Sequence, residues 1–213
     1  VNYIYVPWKS DNFKAYLENL TDRNSILIKS YEDQLIVRMG YSYNYNSANN
    51  QTRTSSNRNS YSIRVNLEEA GNLLYGASKA IHTTPKEDKG YVIANIPFAQ
   101  YVKGDFDFAH NWNIDQRNSF VFHIGMGIAY PYGNSQVLPF EKRYFSGGPN
   151  SVRGWSVRSL GPGSYKGTDG NMNYINHSGD IKLDLNIEYR THLFWKFNGA
   201  AFIDAGNIWN IRE

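Results

Sequence analysis

Across residues 181–190 apolar and polar side chains alternate without a break. Ile181, Leu183, Leu185, Ile187 and Tyr189 take one side; Lys182, Asp184, Asn186, Glu188 and Arg190 take the other. A helix would scatter these residues around its circumference, whereas a strand sends successive side chains to opposite faces. The period returns along the chain. Leu35, Val37, Met39, Tyr41, Tyr43 and Tyr45 oppose Gln34, Arg38, Gly40, Ser42 and Asn44. Tyr61, Ile63, Val65 and Leu67 oppose Ser62, Arg64, Asn66 and Glu68. Val102, Phe106, Phe108, His110 and Trp112, with Ile114, oppose Lys103, Asp105, Asp107 and Asn111. Phe120, Phe122, Ile124, Met126, Ile128 and Tyr130 oppose Val121, His123, Gly125, Gly127 and Ala129. With a last strand near 197–209 and a first over 1–8, the pattern gives about seven strands. Several approach the ~9–11 residues that cross a bilayer at a tilt.

The connections alternate in length. Segment 8–33 is long, and Phe13, Tyr16, Leu17 and Leu20 at helical spacing predict a short helix there. Segment 47–59 is intermediate, 76–90 fairly long, 113–118 short, 132–179 very long and 191–196 short. Outer-membrane barrels have short turns on the periplasmic side and long loops outside, which suits every connection but 47–59.

Composition narrows the classes further. Charged residues are 19% of the 213, below the ~25% of ordinary soluble chains, and polarity comes instead from Asn, Ser, Gly and 17 tyrosines. Tyr and Trp have an apolar body and a polar tip, suited to a membrane–water boundary. No apolar run reaches the ~18 residues of a membrane helix, a test that a β-barrel escapes. The absence of cysteine excludes a disulfide framework and thiolate metal sites. A net charge of +3 without a basic stripe argues against nucleic acid. A soluble sandwich or lipocalin-like barrel also alternates, but its outer face should be rich in Lys and Glu. Here the polar sides carry Gly, Ser, Asn and isolated charges, and the apolar sides end in Tyr, Phe and Trp.

The long connection contains Phe145-Ser146-Gly147-Gly148, then Val152-Arg153-Gly154-Trp155, then Gly161-Pro162. This stretch resembles the sixth extracellular loop of the BamA/TamA-type outer-membrane assembly family, the bacterial surface antigens. The two strands that follow resemble the family's as well. The likeness is strong over 118–209 and extends back toward Val1.

That resemblance implies an all-β fold: an antiparallel transmembrane β-barrel of about sixteen strands behind periplasmic POTRA domains. Residues 1–213 would be a partial barrel domain without a POTRA domain, and the loop at 132–179 would fold into the lumen. The segment would cover roughly the seventh to the thirteenth strand, and alone it should not function, because an open edge in lipid leaves backbone groups unpaired. The VNYIYVPW start does not read as a signal peptide, so the segment is expected to begin in mid-protein. The resemblance also implies that Arg153 is held by acids of the inner wall, and Glu188 and Asp204 occupy the matching positions. Alternation independently puts Glu188 on the polar face, and Asp204 alternates with Ile203 and Ala205. A guanidinium fork engages carboxylates as lysine cannot. Gly147, Gly148, Gly161 and Pro162 are turn-formers, and Gly154 is expected to let the backbone turn tightly beside the wall.

Catalytic and metal readings find little. His82, His110, His123, His177 and His192 show no ligand spacing, no Gly-x-Ser-x-Gly elbow occurs, and Gly147-Gly148 is not followed by a phosphate-loop lysine. Glu68-Glu69 reads as solvated carboxylates at a strand end, and Thr168-Asp169-Gly170-Asn171 as a plain turn more than a calcium site. The expectation is a non-enzyme of the bacterial outer membrane with no cofactor. Its partners would be outer-membrane lipids, unfolded outer-membrane proteins and other assembly subunits. A secretion pore of the same superfamily and a soluble ligand-binding β-barrel are the alternatives.

Overall fold

Alternation in the sequence becomes a six-stranded sheet whose neighbours follow one another along the chain. The computed structural model describes residues 2–4, 33–50, 59–86, 89–165 and 177–211. The sheet strands are β3 (Arg38–Asn46), β4 (Ser60–Ala70), β7 (Tyr101–Asn113), β8 (Asn118–Pro131), β9 (Ile181–Phe194) and β10 (Phe197–Trp209). β9 pairs antiparallel with both β8 and β10. Two small antiparallel pairs accompany the sheet, β1 (Asn2–Ile4) with β2 (Gln34–Ile36) and β5 (Val92–Ile93) with β6 (Ile96–Pro97). The expected helix around 13–20, residues 5–8 of the first strand, most of tract 51–58 and the 168–171 turn lie outside the described residues.

The chain divides into two units, one made of Val1–Gly40, Glu68–Lys103 and Ala129–Arg143, the other of Tyr41–Leu67, Gly104–Ile128 and Tyr144–Glu213. The first has a small conventional core: Ile36, Ala70, Phe98, Ala99, Tyr101 and Leu138 are buried. It also holds the one α-helix among the described residues, α1 (Asn72–Ala80), which no sequence pattern predicts and which overlaps only the start of the 76–90 connection. Gly71 starts it at φ 82°, where a Cβ would lie 2.3 Å from the Ala99 carbonyl oxygen. That left-handed, crowded position is one that glycine alone occupies easily.

The second unit buries chiefly polar side chains, beside Tyr144, Val152 and Ile208. Its buried residues include Ser146, Ser151, Asp184, His177 and Asp180, whereas Leu185, Ile187, Ile203, Ile124 and Met126 are exposed. The alternation is plain along β8, where Met126 is 46% exposed and its neighbours Gly125 and Gly127 are buried. In a water-soluble barrel the apolar face would be the covered one. An outward apolar face with polar groups inside is the arrangement of a barrel wall in lipid. Among the described residues no helix is long and apolar enough to cross a membrane.

Two boundaries differ from expectation. The strand read as continuous from 34 is interrupted at Val37, whose carbonyl accepts from Gly71 N–H at 3.0 Å instead of continuing one ladder. β9 runs to Phe194, so the connection to β10 shrinks from 191–196 to Trp195 and Lys196, with Trp195 at φ 52°.

Candidate functional site

Strand register builds the floor of the site. Asn186 of β9 stands opposite Asp204 of β10, and Glu188 stands opposite Phe202. On the other flank of β9, His123 of β8 faces Asn186 and Val121 faces Glu188. Two-residue periodicity turns Asn186, Glu188, Phe202 and Asp204 to one face, forming a plate of one amide, two carboxylates and a ring.

Arg153 lies on this plate. Its Nε donates to Asp204 Oδ2 at 2.7 Å, its Nη2 to Asp204 Oδ1 at 2.7 Å, and its Nη1 to Glu188. The Arg153 backbone N–H also donates to Asp204 Oδ2 at 3.0 Å. The guanidinium carbon sits 3.6 Å from the centroid of the Phe202 ring. One side chain thereby uses its fork, its charge and its flat face at once, a set of contacts only arginine can make. Hydrogen bonding to Asp204, partly offset by desolvation and then reinforced by Glu188, raises the Arg153 pKa above its already high value. The Asp204 side chain is 4% exposed, so the pairing is shielded from water on that side.

Neighbouring groups orient the acids. Asn186 Nδ2 donates to Asp204 Oδ1 at 2.9 Å and to the Ser151 carbonyl at 2.6 Å, and its Oδ1 lies 2.8 Å from His123 Nδ1. Arg190 Nε donates to Glu188 Oε1 at 2.5 Å. Ser151 Oγ donates to Asp184 Oδ1 at 2.8 Å, and Lys182 Nζ pairs with Asp184 at 2.9 Å.

The loop reaches the plate because its turns fit. Gly147 and Gly148 both have φ 97°, and a Cβ on Gly147 would lie 2.3 Å from the Ser156 carbonyl oxygen. Gly148 N–H donates to the Trp155 carbonyl at 2.8 Å, closing the segment on itself. Val152 is buried, and a Cβ on Gly206 would lie 3.0 Å from its Cγ2. Further along, Gly161 (φ 82°) begins a cis bond to Pro162, and Asn207 Nδ2 donates to the Gly163 carbonyl at 2.8 Å. Nearer the loop's start, Tyr144 lies over Gly127, where a Cβ would come within 2.5 Å of its ring. The Tyr144 hydroxyl donates to Asp105 Oδ1 at 2.6 Å.

The structure therefore brings Arg153, Glu188 and Asp204 together and packs Val152, Gly147, Gly148 and Gly161 closely. Gly154 and Trp155 differ. Gly154 sits in the expected turn, closed by Trp155 N–H donating to the Val152 carbonyl at 3.1 Å, but it lies outside the left-handed region with open space where a Cβ would be, so the turn does not require glycine. The Trp155 side chain is half exposed and only its backbone closes the turn. Glu68, read as solvated, is paired with Arg38, Tyr101 and Lys142. Sequence reasoning missed Phe202, an aromatic on the polar face, and the partners Asn186 and Ser151. The signal for Phe202 was its parity with Asp204.

Residues 2–213 match the Omp85 superfamily domain. The outer membrane protein assembly factor BamA of Neisseria meningitidis serogroup B is 30% identical over 118 residues, covering 49% of this chain and 14% of that protein. The mouse sorting and assembly machinery component 50 homolog is 28% identical over 135 residues, covering 62% of this chain and 28% of that protein. A crystal structure of BamA from Haemophilus ducreyi lacking POTRA domains 1–3 covers 82% of this chain and 42% of its own, at 13% identity and a TM-score of 0.38. The chain thus spans a minor part of the length of these relatives. The resemblance first carried by the Val-Arg-Gly-aromatic loop extends to a domain match over nearly every residue: the chain belongs to the Omp85 superfamily.

Proposed function

We propose that this chain is part of the barrel of a bacterial outer-membrane assembly protein that helps β-barrel or exported proteins enter the membrane, without catalysing a chemical step. The observation that carries the reading is Arg153, held by both Asp204 and Glu188 over the Phe202 ring. A loop fixed this way to the polar face keeps the wall's interior occupied and its strands aligned, while the apolar face meets acyl chains. Two relatives from bacterium and mouse are both assembly components by name, which supports assembly as the task. The partners would be outer-membrane lipids, unfolded outer-membrane proteins and, through POTRA domains of the complete protein, other subunits of the machinery.

The test is Arg153→Ala in the full-length protein, expressed while the wild-type copy is depleted. Assembly of other barrels, read as their folded amount in the outer membrane, is expected to fall. Normal barrel assembly together with failure to export one partner protein would instead assign a secretion pore.

A further inference from the structure

Glu68 collects three donors from three separate segments. Lys142 Nζ lies 2.8 Å from its Oε1, Tyr101 donates its hydroxyl to the same oxygen at 2.5 Å, and Arg38 Nη1 pairs with Oε2. The side chains of Glu68 and Lys142 are only 15% and 13% exposed, and Tyr101 is fully buried. Exposure separates this cluster from an ordinary surface ion pair, which holds little. Arg38 is 46% exposed and adds correspondingly less, so Lys142 and Tyr101 are the enclosed partners. A carboxylate placed there without donors would be costly, which makes the partners mutually dependent.

Lys142 is the last residue of the short 3-10 turn Phe140–Lys142, at the root of the long loop. Its carbonyl also accepts from Lys103 Nζ at 3.3 Å. Both the side chain and the backbone of this one residue are therefore tied down, and Leu138, just before the turn, is 3% exposed. None of these groups belongs to the Arg153 site.

We propose that Glu68 is a second positioning residue for the long loop, fixing its root through Lys142 independently of Arg153. The inference rests on the reading of that loop as the working element of the proposed assembly function. It predicts that the root and the arginine segment open separately.

Two cysteine reporters in the full-length, membrane-embedded protein, with any native cysteine replaced by serine, test this: Leu138→Cys beside the root and Val152→Cys beside Arg153. Both positions are buried, so maleimide labelling reads local opening. Lys142→Met and Glu68→Gln are each expected to raise labelling at position 138 on the order of tenfold and to leave position 152 within about twofold. Combined, they should exceed either alone only slightly, because they remove the same pair. Thermal unfolding of the barrel, measured alongside, separates local release from general loss of stability. Lys142→Met alters only the loop side, so it decides the matter if Glu68→Gln does not fold. Unchanged labelling at 138 in the folded Lys142→Met protein overturns the proposal. Arg153→Ala is the control for the parent reading. If it leaves position 152 protected, the Arg153 lock fails, whatever happens at 138.

Discussion

Arg153 spends its donors on Asp204 twice through the side chain, once through the backbone, and on Glu188 once. Lysine keeps the charge but loses the fork and the flat stack on Phe202. Arg153→Lys is therefore expected to behave much closer to Arg153→Ala than to wild type. Removing one partner of a shielded pair costs about 3–5 kcal/mol, less where water enters, and maleimide labelling at Val152→Cys measures the release. Gly154→Ala should do almost nothing, within about 0.5 kcal/mol in a denaturant titration, because neither its backbone nor its surroundings require glycine. At this scale the sequence was readable where a residue type admits few uses: an arginine among turn-formers, and acids on the polar side of two strands. Phe202 was not readable, because an aromatic ring on a polar face has no meaning until the guanidinium lies on it. Glu68 was misread for a similar reason, since its donors come from segments far away along the chain.

The elements owe their limits to local chemistry. Between β7 and β8, Asp115 accepts from the backbone N–H of Arg117 at 2.6 Å and of Asn118 at 2.8 Å, while Asn118 Nδ2 donates to its other oxygen at 2.8 Å. The Asn118 side chain first, then the Arg117 backbone, lowers the Asp115 pKa below its ordinary 3.8. A carboxyl more acidic when folded than when unfolded stabilises the turn above its unfolded pKa. That contribution fades as pH falls below about 4 and is gone once pH passes under the folded value. Asp115→Asn should flatten this acid-side dependence, measured as barrel unfolding against pH, while leaving neutral behaviour almost unchanged. Strand identity was legible throughout the sheet because period two leaves one alternative face and one partner arrangement. Boundaries were less so. The helix α1 was hidden because Asn72–Ala80 is short, contains Gly76 and follows a strand without a side-chain cap. The break at Val37 depends on a bond to Gly71, a partner no local pattern announces.

For the whole molecule, the decisive property is which face meets the surroundings. Ile187 is 45% exposed on β9, flanked in sequence by the two polar residues that face Arg153's site. In a bilayer, Ile187→Arg is expected to cost about 2–4 kcal/mol near the midplane, read as urea unfolding from phospholipid vesicles. A change under about 0.5 kcal/mol would mean that this face meets water. The all-β class and the inverted polarity could be read from alternation and composition, because both follow from single-strand chemistry. What surrounds the sheet beyond β3 and β10 is not a property of these strands alone.

The ring of Tyr144 resting where Gly127 has no side chain has a mechanical consequence. It works as an index mark. A slip of one residue would present Arg143 or Phe145 to that notch: the first has no ring to fill it, and the second has no hydroxyl to donate to Asp105. The loop can thus seat at only one depth, and this setting carries the guanidinium nine residues on to its acids, much as a keyed shaft admits a single alignment.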